Sequence, residues 1–424
     1  MSAAGYPHES IRSSEKCQTP ITLSMTITSG MNQHLTQEQS MLEELVNRYF
    51  ERKCPLDVLQ RRSSAPQDHD GGVWKGMAAE LGILGLTFPE TLGGSGGGAV
   101  DIMIVMEAIG RHLVVQPFLE TVVIGGGILR RSGGDAANEL IEKVIAGDAR
   151  IAFAHTEFQA RYCLHDVRSS AHAMADGFVL NGRKIMVSEG RRATHYIVSA
   201  RTGGSERDRE GISLFLVEAR ATGIHRRDYS TIDWHPASDI DFHNVSLPRS
   251  ALLGQVDAAL PLIEEAIDRA ILAICAEGTT VVQRILSDTV EYTKQRRQFG
   301  APLSSFQVLR HRMVDMYIVS EEAMAMSRET SRELDEGLLD TAGRARSASA
   351  LKVCVGQACN FVGESGIQLH GAMGIADETA VGHYFKRAKV IEQTFGTVDH
   401  HLARFQTSAF TPNTVRREIA GREA

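Results

Sequence analysis

Cysteine is scarce and scattered, with 6 in 424 residues and no Cys-x-x-Cys pair. Cys17, Cys54, Cys163, Cys275, Cys354 and Cys359 do not make a disulfide framework in a chain this long, which points to a reducing compartment. An excess of basic residues is missing too. The 45 Lys and Arg are outnumbered by 52 Asp and Glu, a net charge of -7, which argues against a nucleic-acid surface. Small anionic substrates stay open, because a local basic patch can sit on an acidic protein. No uninterrupted apolar run reaches membrane-spanning length, and the best candidate, IMIVMEAIG, is cut by Glu107. No HExxH occurs, and the adjacent His400 and His401 point different ways, so no metal site is expected. Together these absences suggest a cytoplasmic protein with no membrane span.

What is present is ordinary for a globular chain: 43% hydrophobic and 23% charged residues. The length implies two or three domains. Residues 1–34 are rich in Ser and Thr, with little apolar periodicity, and read as a disordered tail. Met31 is a possible alternative start, and Glu9 and Glu15 are out of place in a transit peptide.

Residues 35–150 read as a helical domain. Leu42, Leu45, Val46 and Tyr49 fall on one face, and Thr36 with Gln39 makes a capping box. The glycine-rich stretch after Pro89 reads as a flexible connector, since no Lys-Ser or Lys-Thr follows to make a phosphate loop. Near Ile151 the period changes to short β runs. Asn181-Gly182 is a hairpin signal, so 151–255 reads as an antiparallel β domain. Residues 256–424 return to helical spacing, with apolar stripes at Leu260, Ile263, Ile267, Ile271, Ile274 and at Leu351, Val355, Ala358, Val362. Long helices and short loops suggest a C-terminal four-helix bundle. The fold class expected is mainly α with a central, antiparallel β-barrel-like domain.

Four motifs in this order carry a resemblance. AAELGILGLTFPETLGGSG (78–96), FHNVSLPRSALLG (242–254), RRQFGAPLSSFQ (296–307) and QLHGAMGI (368–375) together resemble the acyl-CoA dehydrogenase family. CAEG, HRMVDM, ETAVGHYFKR and FGTVDHHLARF look like the small-subunit branch known from pimeloyl-CoA dehydrogenases. The resemblance implies a flavoprotein oxidoreductase that uses FAD to desaturate an acyl-CoA between Cα and Cβ and passes electrons to an electron-transfer flavoprotein. The branch implies a heteromer, such as a heterotetramer with a homologous subunit. It also suggests dicarboxylic, aromatic-derived or steroid side-chain esters rather than simple fatty acids.

Carried over position by position, the resemblance gives Arg296 to the FAD pyrophosphate across a subunit interface, and Phe299 and Gln307 to the adenine end. Gln368 and Gly371 match the start of the family's Gln-x-x-Gly-Gly-x-Gly, whose second glycine is Ala372 here. Thr397 matches a diphosphate contact, and Thr156 and Ser188 match positions beside the isoalloxazine ring. Met186 replaces the usual tryptophan, Asp399 the usual glutamine, and HTEFQARYCLHD a compact Thr-Glu-Pro-Gly-Ala-Gly-Ser-Asp.

The catalytic base is the main departure. The family's glutamate is Phe395 here, and its second base site falls at Ala270. Glu392, nearly one turn before Phe395, and Asp268 are the remaining candidates, while Glu277 reads as a structural partner inside the bundle. Four functions stay open: a heteromeric subunit whose partner carries the base, a homomer with a relocated base, a flavin monooxygenase of the same superfamily, or a non-catalytic scaffold.

Overall fold

The computed structural model describes residues 35–55 and 72–409, so the N-terminal stretch expected to be a tail lies outside the described residues. Helix α1 (Gln37–Lys53) starts at Thr36 with the capping box in place, Thr36 Oγ1 accepting from the Gln39 amide. Val46, Tyr49 and Phe50 are its buried residues. Leu45, expected on that face, is 44% exposed, because the buried stripe lies one residue further round. After α2 (Val73–Ala79) comes the glycine-rich loop. It is not a loose connector. Ser95, Gly96 and Gly97 donate backbone hydrogen bonds to Gly85, Phe88 and Leu86, and a Cβ on Gly94 would lie 2.1 Å from the Phe88 carbonyl oxygen. The loop delivers the chain into α3 (Ala99–His112). The first amides of α3 donate to Asp335 from the bundle, at 2.5 and 2.9 Å, a carboxylate at a helix N-terminus. A π-helical turn (Leu119–Gly125), α4 (Gly126–Ser132) and α5 (Asp135–Ile145) complete the N-terminal helices.

The middle region is one eight-stranded sheet: β1 (Ile151–Ala154), β2 (Ser170–Met174), β3 (Gly177–Ser188), β4 (His195–Arg201), β5 (Ile212–Glu218), β6 (Ile224–Ser230), β7 (Pro236–Pro248) and β8 (Leu252–Leu253). Its order is β6-β7-β3-β2-β4-β5-β8, with β1 paired to β4. Most pairs are antiparallel, but β1–β4 and the β2–β4 contact are parallel, because the long excursion 155–169 separates β1 from the strands it would otherwise meander into. Asn181-Gly182 is not the hairpin turn. It is a bulge inside β3, and β2 and β3 turn instead between Met174 and Gly177. Asn181 Oδ1 accepts from the Asn244 amide, and a Cβ on Gly182 would meet Ser169 within 2.6 Å, so the glycine serves a close crossing.

The C-terminal region holds α6 (Leu260–Gln295), a two-stranded hairpin of β9 (Arg297–Gln298) and β10 (Ala301–Pro302), α7 (Gln307–Asp335), α8 (Thr341–His370), α9 (Ala380–Gln393) and α10 (Val398–Ala409). Helix α8 packs on α6, α7, α9 and α10. The expected stripe on α6 is buried throughout. Helix α6, about 54 Å long by the helical rise, is long and apolar enough to cross a membrane, which the sequence reading missed. The residues of its most apolar window are 83% buried inside the fold, as the bundle's central helix. One core runs from α1 through α3 into the bundle, and a second lies within the sheet around Tyr196, Phe215 and Phe242.

Candidate active site

The turn after α9 carries Phe395, Gly396 and Thr397. Phe395 has φ +61, a left-handed conformation that a bulky side chain rarely takes. Its surroundings fix it there. The Lys352 ammonium, buried in α8, donates to the carbonyls of Ile391, Glu392 and Gly396 at 2.8, 2.7 and 3.0 Å. This cation caps the C-terminus of α9, where the helix dipole is negative. The Phe395 carbonyl is 3.1 Å from His401 Nε2, and burial pushes His401 down to about 3, so the neutral ring donates from Nε2. A Cβ on Gly396 would lie 2.6 Å from both His400 and His401. The Phe395 N–H has no partner among the described residues.

The candidate carboxylates beside this turn are engaged. Glu392 Oε1 accepts from the Val398 amide at 3.3 Å, and its other oxygen bonds Gln393, so it caps α10. Asp268 is buried in α6, with Arg404 Nη2 at 2.5 Å and Arg344 Nε at 3.6 Å. Burial still raises its pKa against those two cations. Ala270 is fully buried and carries no acid. Glu277 pairs inside the protein, as expected. Both its oxygens take Arg387 from α9, at 2.5 and 2.7 Å, and Arg387 Nη1 reaches Asp233 at 2.8 Å. Burial pushes Asp233 up, but His235 and then Arg387 outweigh it and hold the group at about 2. It ties the β6–β7 connection to two bundle helices.

On the sheet side, Thr156 follows β1 and Ser188 ends β3; the Ile185 amide donates to the Thr156 carbonyl at 2.9 Å. Buried Lys184 anchors this corner, with Glu157 Oε1 at 2.7 Å, Ser199 Oγ at 3.0 Å and the His155 carbonyl at 3.2 Å. Glu157 also accepts from the Arg168 and Ser169 amides, so the divergent loop after Thr156 closes on one carboxylate. Burial pushes Glu157 up, but Lys184 and the other donors outweigh it and hold the group at about 2. Ser188 Oγ lies 2.6 Å from Glu120 Oε1, a carboxyl the sequence reading did not single out. Nothing in LETVVIGGG marks it except a lone acid in an apolar run. Tyr162 and His400, ring centroids 5.1 Å apart, join this corner to the Phe395 turn.

The other residues assigned by resemblance gather elsewhere. Arg296 and Phe299 sit on the exposed hairpin between α6 and α7, Gln307 begins α7, and Gln368 and Gly371 end α8. Tyr292 stacks on His370 at 4.4 Å, which brings the ends of α6 and α8 together. Lys352 marks where the Phe395 turn meets α8, and His370 lies roughly 27 Å further along by the helical rise. Thr156, Ser188 and Thr397 therefore form one group, and Arg296, Phe299, Gln307, Gln368 and Gly371 another. One chain does not bring the two together.

The chemistry of both groups fits a flavin dinucleotide. At the N-terminus of α10, Glu392 and Thr397 Oγ1 take the Val398 and His400 amides, which leaves the Asp399 N–H for an outside acceptor such as a phosphate. Asp399's own carboxyl is exposed beside it, an unfavourable charge for a phosphate. On the far group, Arg296 is exposed and Phe299 is 91% exposed at φ +53, a guanidinium and a flat ring open to a nucleotide.

Three family models match in series: the acyl-CoA dehydrogenase N-terminal domain over residues 36–148, the middle domain over 152–245 and the C-terminal domain over 260–409. The chain is 25% identical over 373 residues to the caffeyl-CoA reductase-Etf complex subunit CarC of Acetobacterium woodii, covering 86% of this chain and 96% of that one. It superposes on a chain of the ChsE4-ChsE5 complex from Mycobacterium tuberculosis with TM-score 0.79 and 24% identity, over 89% of this chain and 99% of that one. A chain of the Tcur3481-Tcur3483 steroid ACAD gives 0.77 and 27%, over 88% and 97%.

Proposed function

This chain belongs to the acyl-CoA dehydrogenase family, and on that footing we propose that it works as one subunit of a heteromeric enzyme desaturating an acyl-CoA thioester. At the family level it is an FAD-dependent oxidoreductase of acyl-CoA substrates; the proposal concerns which chain does what. Bound FAD would take the β hydrogen as hydride. The α proton needs a base within hydrogen-bond reach.

The observation that carries the proposal is that, among the described residues, the buried carboxylates at the Phe395 turn are committed, and the free one, Asp399, is exposed to solvent on α10. Phenylalanine takes no proton, Glu392 caps α10, and Asp268 is paired with Arg404. Glu120, on the sheet side, is bonded to Ser188. What the turn offers is the unpartnered Phe395 N–H, a fixed donor for the thioester oxygen as negative charge develops there. This chain polarises and orients; a homologous subunit supplies the carboxylate.

The two separated groups of flavin residues support a site completed by a second chain. ChsE4-ChsE5 and Tcur3481-Tcur3483 are named as pairs, and the latter as a steroid enzyme, which favours a bulky side-chain ester over a simple fatty acid. CarC is named in a complex with Etf, which favours an electron-transfer flavoprotein as the electron acceptor. Cytoplasmic location belongs to the same reading.

The test is an anaerobic visible spectrum of the chain, alone and with a homologous subunit, titrated with a panel of acyl-CoA esters. Flavin bleaching only in the mixture is expected, and Glu392→Gln should leave it intact. Bleaching by the chain alone would sink the proposal.

A further inference from the structure

Ser188 is the last residue of β3, and Glu120 stands on the π-helical turn Leu119–Gly125. π geometry is rare in proteins and appears mostly as single turns inside α-helices, frequently at functional sites. This turn is fixed to the sheet. Thr121 Oγ1 donates to the Ile151 carbonyl at 3.1 Å and accepts from the Ile151 amide at 3.0 Å. A Cβ on Gly125 would lie 2.7 Å from the Ile151 side chain, so the widened turn rests directly on β1. That anchoring holds the Glu120 carboxyl 2.6 Å from Ser188 Oγ. Both residues keep part of their surface open.

The charges facing Glu120 come from every side. Glu277 projects from α6, Arg387 from α9 and Glu189 from the residue after Ser188; Arg192 and His235 in turn face Glu189, and Asp233 faces Arg387. Burial raises the Glu120 pKa; the Ser188 hydrogen bond and Arg387 oppose it without overcoming it.

We propose that Glu120 is a positioning residue of the flavin site, which sets through Ser188 whether the Ser188 hydroxyl donates or accepts toward the bound ring. The inference rests on the reading that Ser188 lies beside the isoalloxazine. A hydroxyl has one hydrogen and two lone pairs, and an ionised carboxylate only accepts. When Glu120 is neutral, its O–H donates to Ser188 Oγ, and the serine hydrogen is free for the ligand. When Glu120 is ionised, it takes the serine hydrogen, and only lone pairs face the ligand. One proton on Glu120 reverses the polarity that Ser188 presents.

The test uses the flavin-loaded protein, in complex where loading requires it, without substrate, from pH 5 to 9. The wild-type flavin absorption is expected to shift through a transition that persists in Glu189→Gln, which removes the neighbouring carboxyl that titrates near 8. Glu120→Gln should abolish the transition and hold the low-pH spectrum, since the amide N–H donates as the neutral acid does. Ser188→Ala should also abolish it, and the double variant should match Ser188→Ala. Thermal melting of each variant separates these effects from misfolding. A wild-type spectrum flat across this range would overturn the proposal, as would a transition that survives in Glu120→Gln. A thousandfold loss of desaturation in Glu120→Gln with its pH transition intact would make Glu120 a base instead. Bleaching by the chain alone would end the heteromeric reading while leaving this one standing; a Ser188→Ala spectrum that still titrates would do the reverse.

Discussion

The Lys352 ammonium and the Gly396 carbonyl lie 3.0 Å apart, and this contact couples the middle of α8 to the turn where the family carries its base. Two more carbonyls on the same ammonium make Lys352 the main support of that turn. Lys352→Met would leave buried carbonyls without a donor, at a cost of about 1–3 kcal/mol for each that finds no water. The variant should unfold at lower urea and lose flavin more readily than wild type on gel filtration. Unchanged flavin retention would show that the turn holds without the lysine.

Lys184 and Glu157 make a second prediction, in which pH matters. The Glu157 pKa is depressed in the folded state, from 4.5 to about 2. Its contribution is therefore present above about pH 4.5 and lost as pH falls toward 2. Lys184→Met strands the buried carboxylate, a loss of about 3–5 kcal/mol at neutral pH. It should also flatten this part of the acid limb in a plot of melting temperature against pH.

Glu189 works in the opposite direction. Burial raises it to about 8 against the nearby Arg192, and its Oε1 has no hydrogen-bond partner among the described residues. A carboxyl neutral when folded and ionised when unfolded loses stability as pH rises from about 4.5 to 8. Glu189→Gln should remove that decline, so variant and wild type diverge most near pH 8. Parallel melting curves across this range would contradict the assignment.

Arg387 serves two buried carboxylates, Glu277 and Asp233. Arg387→Met should cost about 3–5 kcal/mol by leaving both charges uncompensated. The triple variant with Asp233→Asn and Glu277→Gln should recover most of that loss. Denaturant midpoints for the two variants decide it.

Arg296 is exposed, so Arg296→Gln should leave the melting temperature of flavin-free protein unchanged, within about 0.5 kcal/mol of stability. If it meets the flavin pyrophosphate, the lost charge-assisted bond should weaken flavin binding by about 10- to 100-fold. Equal affinity in both proteins would remove Arg296 from the site.

Local chemistry was legible in the sequence, and distant pairing was not. The Thr36–Gln39 box and the α6 stripe could be read because their partners lie within a turn or two along the chain. Asn181-Gly182 misled because a bulge and a hairpin ask for the same residues, and only Ser169 crossing beneath Gly182 tells them apart. Phe395 stood out because a resemblance made its missing carboxylate visible. Glu120 carried no signal, since its meaning depends on Ser188, 68 positions away, and on a helical turn widened by contact with β1. Lys352 and Lys184 were hidden for the same reason: a lysine in an apolar stripe gives no sign of the carbonyls or carboxylate it will meet.

A π turn is, in effect, an α-helix holding one surplus residue. Remove one residue between Leu119 and Gly125, and the ordinary hydrogen-bond ladder closes. Everything on one side then swings by about 100° relative to the other. Either Glu120 and Thr121 leave Ser188 and Ile151, or Gly125 leaves its seat on Ile151. The length of this short segment is thus as constrained as its composition. Chains that share the fold but lack the extra residue would have to reach the end of β3 with a different side chain.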